Sequence, residues 1–383
     1  MSQRRLAEEL GYDPSFLSRI ETGRVRAPRD FLDRLTGVEG LRLSWQDRDR
    51  LVQLSGEPAA AGERWPGLVG ADPLHSFLSG AFGPRVRREA SVNPDEKRAL
   101  GAYLAGRLER LGRSRRIPMI LDSGSTTAFL SQELASLSAA GVRWEVHTGN
   151  LLAALLLAGS TPVHLLGGRI DSEFGATLSA EAVNELARLI DRLVSSARDA
   201  PEEMAMPVGI LSCLAFTADE GPWSRLQEAA TSVSLPSGLP RHVRWKETMI
   251  DRLPWLIVPL HSEKLLRPGE PLWKEAGPIR RDGVSRWSAR LRRAGETDGP
   301  VTHLVLVLPR AQADPFHRRA KVLGAVAALL GGSGDSSFAA ATELRAPSSG
   351  ERGANLLTVL DFRTGKALPQ GVLSELLERE GGK

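Results

Sequence analysis

The feature that most constrains this chain is an alternation that begins near residue 85, where short, largely apolar runs are separated by longer stretches of helical periodicity. Residues 117–121, 144–147, 163–166, 208–214 and 255–260 are runs of strand length, and 304–308 and 356–362 continue the series. Most of these runs lack a polar face, so they suit strands buried on both sides. Helical stretches at 94–111, 127–139, 151 onward and 316–330 lie between them. Strand–helix–strand alternation predicts a mostly parallel sheet with helices packed on its faces.

Residues 6–54 follow a different pattern and read as four short helices. Leu6, Ala7 and Leu10 give the first an apolar face, and Gly11 closes it at a C-cap position. Asp13 or Ser15 can cap the second, with Pro14 in its first turn. Phe16, Leu17 and Ile20 form its apolar side, and Gly23 ends it. Further helices are expected at 28–35 and 44–54, the last capped by Ser44. Residues 56–62 are small and include Pro58, a linker signal. The expected division is a helical head at 1–56, a linker at 57–84, an α/β domain at 85–300 and a C-terminal α/β extension at 301–383, to which the residues assign no role.

Composition narrows the function classes. A length of 383 residues accommodates two or three domains. The single Cys213 excludes an internal disulfide framework, fits a reducing compartment, and reads as a core thiol in an apolar strand. The seven histidines are scattered and no Cys/His group has zinc-ligand spacing, so neither metal nor cofactor is expected. The start of the chain is polar, and the longest apolar run, 151–159, is about half a membrane span. A cytoplasmic protein without membrane contact is expected. Net charge is +4, and residues 1–56 carry ten arginines against nine acidic residues. Charge therefore does not mark the head as a nucleic-acid binder.

Pattern does. The run from Ser2 through Gln3, Arg4, Arg5, Leu6, Ala7 and Leu10 to Gly11, followed by Pro14, Ser15, Phe16, Ser18, Arg19, Ile20, Glu21, Gly23 and Pro28, resembles the helix-turn-helix of the Cro and lambda-repressor (XRE) class. Ala7 is small where two helices cross, Gly11 sits in the turn, and Leu6 with Ile20 is expected to bury the seam. The second helix is the recognition helix, offering Ser15, Ser18 and Arg19 to base edges or phosphates of double-stranded DNA. The resemblance implies a phosphate contact for Gln3 and backbone contacts for Arg24 and Arg26. It also implies a preceding helix, which would fall ahead of Ser2.

In the second part, Asp122, Ser123, Gly124, Ser125, Thr126 and Thr127 follow an apolar strand and open a helix. Small residues let backbone approach an anion, while hydroxyls and helix N-terminal amides supply donors. Further blocks come in order: Asn93 to Leu100, His147 to Leu151, Leu165 to Arg169, Lys246 to Ile250, and Ile257 to Lys264. Together they resemble, over about residues 85–265, the effector-binding domain of DeoR-type repressors, which shares its fold with ribose-5-phosphate isomerase and the CoA transferases. The resemblance implies a phosphorylated effector bound by Asp122 to Thr127, by Thr148, Gly149 and Asn150, and by Gly167 and Gly168. Lys246 and Lys264 would supply positive charge, and His147 and His261 are further candidate contacts.

Two acids of that family are replaced here. The block at 211–220 contains Ser212, Cys213 and Leu214, and His261 stands where the family has aspartate. Isomerase chemistry needs a carboxylate base, so the chain is not expected to be an enzyme. The expectation is an all-α helix-turn-helix head plus an α/β, mostly parallel-sheet sensor domain, acting as a homodimeric or tetrameric transcriptional regulator that senses a phosphorylated metabolite. Alternatives are a switch sensing a nucleotide or protein signal and, less favoured, an isomerase or transferase. The arginine-rich 276–293 stretch is expected to be a solvated surface.

Overall fold

Ile117–Leu121 are buried at every position and form strand β1 at the heart of a parallel sheet. In the computed structural model the described residues are 6–7, 10–21, 25, 93–138, 141–168, 170–171, 175–177, 179–213, 215–217, 221–223, 241–265, 284–309, 318–331, 337–347 and 350–380. The chain divides into two compact units, Met1–Ala81 and Phe82–Lys383.

In the first unit, Leu6, Ala7 and Leu10 are helical, and Gly11 turns the chain at φ +71°. Helix α1 (Pro14–Glu21) follows. Asp13 opens it: its carboxylate accepts from Ser15 N at 2.7 Å, and its carbonyl accepts from Phe16 N and Leu17 N. Of the two capping candidates, Asp13 therefore does the capping. The seam is made by Ala7, Leu10 and Leu17, which are fully buried, while Leu6 and Ile20 are only half-buried. The expected helices at 28–35 and 44–54 and the linker at 57–84 lie outside the described residues.

The second unit begins with α2 (Pro94–Ser114), β1, α3 (Ser125–Ser138), β2 (Trp144–Thr148), α4 (Leu151–Leu157) and β3 (Val163–Leu165). A small hairpin of β4 (Ile170–Asp171) and β5 (Ala176–Thr177) precedes α5 (Ala180–Asp199) and β6 (Val208–Ile210). A second hairpin, β7 (Ala215–Thr217) and β8 (Gly221–Trp223), precedes α6 (Arg241–Arg252) and β9 (Trp255–Leu260). Then come α7 (Val284–Arg293), β10 (Val301–Leu308), α8 (Arg318–Leu330), β11 (Ala339–Ala340), β12 (Ala354–Asp361) and α9 (Gln370–Glu380).

Eight strands pair in the order β11-β12-β10-β9-β6-β1-β2-β3, and every pairing is parallel. Alternate residues feed two cores, as the period of a strand requires. Ile117, Met119 and Leu121 pack with α2, α3 and α4 on one face. Ile120, Leu256 and Val258 pack with α5, α6, α7, α8 and α9 on the other. The expected division at residue 300 falls inside this sheet: Val301–Leu308 pairs with β9 along six residues and with β12 along eight.

Two element boundaries differ from the sequence reading for a chemical reason. The run at 208–214 ends as a strand at Ile210, because the Ser212 amide is diverted to the Asp122 carboxylate at 3.0 Å. Helix α3 starts at Ser125 rather than 127, because Ala128 N already bonds Gly124 O. The arginine-rich stretch also differs, since Arg290 on α7 is fully buried. No helix among the described residues is long and apolar enough to cross a membrane.

Candidate functional site

From β1 the chain crosses outward to β2 and β3, then returns to the other side of β1 to build β6, β9, β10 and β12. The strand order therefore reverses between β1 and β6. In open α/β sheets, loops diverge at such a point and leave a crevice beyond the C-terminal strand ends. Residues 122–127 leave β1 there, residues 211–213 leave β6, and the 3₁₀ turn Ser262–Lys264 follows β9.

Asp122 is buried, with its backbone N–H bonded to Ile210 O at 3.1 Å. Its Oδ2 accepts from Ser212 N at 3.0 Å and from Lys246 Nζ, which also donates to Ser212 O. Burial pushes the Asp122 carboxyl up, and Lys246 opposes that shift. Asp122 is thus the counter-ion of Lys246, a correction to its expected place among the anion-binding groups. It also means that Lys246 does not face an anion with its charge unshared.

Gly124 adopts φ +148°, and a Cβ there would come within 2.4 Å of Ser212 Oγ, so the close approach of the two loops requires glycine. Thr127 turns its hydroxyl inward, donating to Asp122 O at 2.8 Å and Gly124 O at 2.7 Å. Asn150 holds the loop from the side, with Nδ2 donating to Gly124 O at 3.2 Å and Thr127 Oγ1 at 3.1 Å. Its Oδ1 caps α4 by accepting from Leu152 N and Ala153 N. Thr148 Oγ1 donates to Leu121 O at 2.7 Å and accepts from Asn150 N at 2.9 Å. Thr127, Thr148 and Asn150 therefore shape the loop rather than point donors at a ligand.

Lys264 reaches the loop from β9, with Nζ 3.2 Å from Thr126 Oγ1 and 3.5 Å from Ser212 Oγ. Lys264, Thr126, Ser125 and Ser212 are the groups that converge at the start of α3. Around them lies a charged ring that the sequence reading did not assemble. Glu96 on α2 accepts from Ser262 N at 2.7 Å and Ser262 Oγ at 2.8 Å, and burial raises its carboxyl. The next residue, Lys97, is buried. Burial holds the His261 imidazole well below its ordinary value, and Lys264, Lys97 and Arg318 act in the same direction. Burial raises the Cys213 thiol, whose neighbours include Lys264 and Lys246. Lys97 lies in the Asn93–Leu100 block that carried the family resemblance, whereas Ser212 lies in the 211–220 block that departs from it.

The remaining expected residues are linked at one remove. Gly149 O accepts from Thr177 N at 2.7 Å, and Thr177 Oγ1 donates to Leu166 O. Gly168 packs at φ +135° against Ser179, the N-cap of α5, and Gly167 beside it is exposed. These glycines join the Thr148–Asn150 loop through β5. His147 stacks on His164, with ring centroids 4.6 Å apart.

In the first unit, Ser15, Ser18 and Arg19 are exposed on α1. Arg19 lies over the Phe16 ring at 5.8 Å, and its Nε donates to Ser15 O at 3.4 Å. Gln3, Arg24 and Arg26 lie outside the described residues.

Residues 1–54 match the family model for a helix-turn-helix domain. No curated protein matches the chain. Among solved structures, 54 chains match. One is D-ribose-5-phosphate isomerase in complex with phospho-erythronic acid, at 16% identity and a TM-score of 0.26, covering 45% of this chain and 54% of that one. Another is eIF2B beta from Chaetomium thermophilum, at 15% identity and a TM-score of 0.26, covering 49% of this chain and 42% of that one. The chain spans about half of the first structure's length and less of the second's. It carries an N-terminal helix-turn-helix domain and an α/β domain built on an eight-stranded parallel sheet.

Proposed function

We propose that this chain is a transcriptional regulator whose XRE-class head reads operator DNA and whose DeoR-type α/β domain senses a phosphorylated metabolite. The observation that carries the reading is the placement of Lys264 against Thr126 in the first turn of α3, at the reversal of strand order. A cation, two hydroxyls and helix N-terminal amides suit a phosphoryl group. The exposed Ser15, Ser18 and Arg19 suit a recognition helix lying in the major groove, with a homodimer or tetramer on a palindromic operator in the cytoplasm.

The α/β domain acts as a sensor rather than an enzyme. Asp122 and Glu96 are the buried carboxylates of the crevice among the described residues, and Lys246 and Ser262 engage them. Their engagement within the protein supports the sensor reading.

The test is calorimetric titration of the full chain with a panel of sugar phosphates, nucleotides and the matching unphosphorylated sugars, followed by operator mobility shifts with each binder. Saturable binding that requires the phosphoryl group and changes DNA affinity is expected. Ser125→Asp with Thr126→Asp should abolish it, and a full response in that variant would remove the loop from the site. Turnover of an aldose phosphate to a ketose phosphate would overturn the non-enzymatic reading.

A further inference from the structure

Glu145, His147 and His164 form a cluster on strands β2 and β3. Glu145 and His147 stand two residues apart on β2, so their side chains leave the same face of the strand. His164 is the register partner of His147 on β3, the edge strand of the sheet. Parallel pairing therefore brings three ligand-type side chains from two strands onto one face. One ligand atom from each lies within 4.8 Å of the other two.

Both carboxylate–imidazole distances are compatible with ligands about a small metal ion. His147 Nε2 is 3.3 Å from Glu145 Oε1, and His164 Nε2 is 3.5 Å from the same oxygen. Ligands at bond lengths of about 2.0–2.1 Å on a tetrahedron stand about 3.3–3.4 Å apart. The carboxylate is oriented from outside, because Arg116 takes the other oxygen, Oε2, at 3.3 Å and leaves Oε1 toward the imidazoles. An outer partner fixing a ligating carboxylate is a recurrent feature of metal sites. His147 Nε2 is buried and faces Glu145 Oε1 without a well-formed hydrogen bond.

We propose that Glu145 Oε1, His147 Nε2 and His164 Nε2 bind one divalent transition-metal ion of the zinc class. Two imidazoles and one carboxylate are a borderline-soft donor set that suits Zn²⁺ or Co²⁺ over Mg²⁺ or Ca²⁺. His164 is about half exposed, so the fourth position opens to solvent at the sheet edge, and the site is of the open kind. The ion would sit one residue before Thr148, whose hydroxyl holds the Leu121 carbonyl beside the crevice.

The test uses the untagged full chain, stripped with chelator, and titrated with Co²⁺ alone and with Zn²⁺ against a chromophoric competitor. One equivalent should bind per chain, with the intense visible absorption of four-coordinate Co²⁺. His164→Ala changes an exposed side chain and should fold normally, while weakening Zn²⁺ binding about a hundredfold or more. Glu145→Gln should weaken it likewise and lower the Co²⁺ absorption. Absence of stoichiometric binding, or unchanged affinity in folded His164→Ala, would overturn the proposal.

Discussion

Lys264 places its ammonium group 3.2 Å from the Thr126 hydroxyl although 138 positions of sequence separate them. The contact joins the end of β9 to the start of α3 across the point where strand order reverses. If a phosphoryl group binds there, Lys264→Gln should weaken it about tenfold to a hundredfold, consistent with losing one charge-assisted contact of about 1.5–3 kcal/mol. Calorimetry with the best phosphorylated binder from the panel measures this, and unchanged affinity would exclude Lys264 from the site.

Lys246 should behave differently. Its ammonium pairs with a buried carboxylate, so Lys246→Met leaves the buried Asp122 carboxyl without its counter-ion at a cost of about 3–5 kcal/mol. Adding Asp122→Asn removes the orphan carboxyl and should restore much of that stability. Denaturant unfolding of the two single variants and the double variant gives the coupling. Simple additivity would show that the pair does not act as a unit.

Arg290 fastens α7 to the rest of the domain. Its guanidinium donates to Thr302 Oγ1 at 2.8 Å and to the carbonyls of Ile250, Leu253 and Val301 at 2.9, 2.6 and 2.9 Å. Burial lowers its pKa to about 9, so it remains charged at neutral pH. Arg290→Met leaves these buried acceptors short of donors and should cost about 3–5 kcal/mol. Arg290→Lys cannot reproduce the planar fork and should recover only part of it. A thermal midpoint for Arg290→Met within a degree of the parent would contradict this account.

Acidification below about pH 6.5 should destabilise the α/β domain through its buried neutral histidines. His303 is buried, bonds Thr358 Oγ1 at 2.7 Å, and is held by burial at about 3, and His261 is also held well below its ordinary value. In the unfolded chain both titrate near 6.5. Below that pH the unfolded state takes up protons that the folded state refuses, so the stability present above about 6.5 is lost as pH falls toward the folded values. Each histidine adds up to about 1.4 kcal/mol per pH unit over that window. His303→Gln should flatten the decline measured between pH 6.5 and 4.5, and an unchanged slope would assign it to other groups.

In the head, Arg19→Ala should reduce operator affinity in mobility shifts while leaving stability within about 0.5 kcal/mol, as for an exposed residue. Asp13→Ala should do the reverse in part, loosening α1 by about 1 kcal/mol through loss of its cap. Equal operator affinity for Arg19→Ala and the parent would remove Arg19 from the interface.

The sequence by itself determined the local elements and their class. Unbroken apolar runs such as Ile117–Leu121 and Trp255–Leu260 report burial on both faces, and that can be read without knowing the neighbours. Gly11, Asp13 and the small residues at 123–127 likewise carry their conformational meaning in their own side chains. Strand order, by contrast, depends on which runs pair, and only the folded sheet decided it. It set β6 beside β1, turned Asp122 from an expected ligand group into the partner of Lys246, and drew Arg290 out of an apparently solvated run into a cage of carbonyls. It also aligned His164 with His147, so that an edge strand supplies what no spacing of histidines along the chain announces. Periodicity records how one segment meets its surroundings, whereas contacts between segments far apart in the chain arise from the topology that joins them.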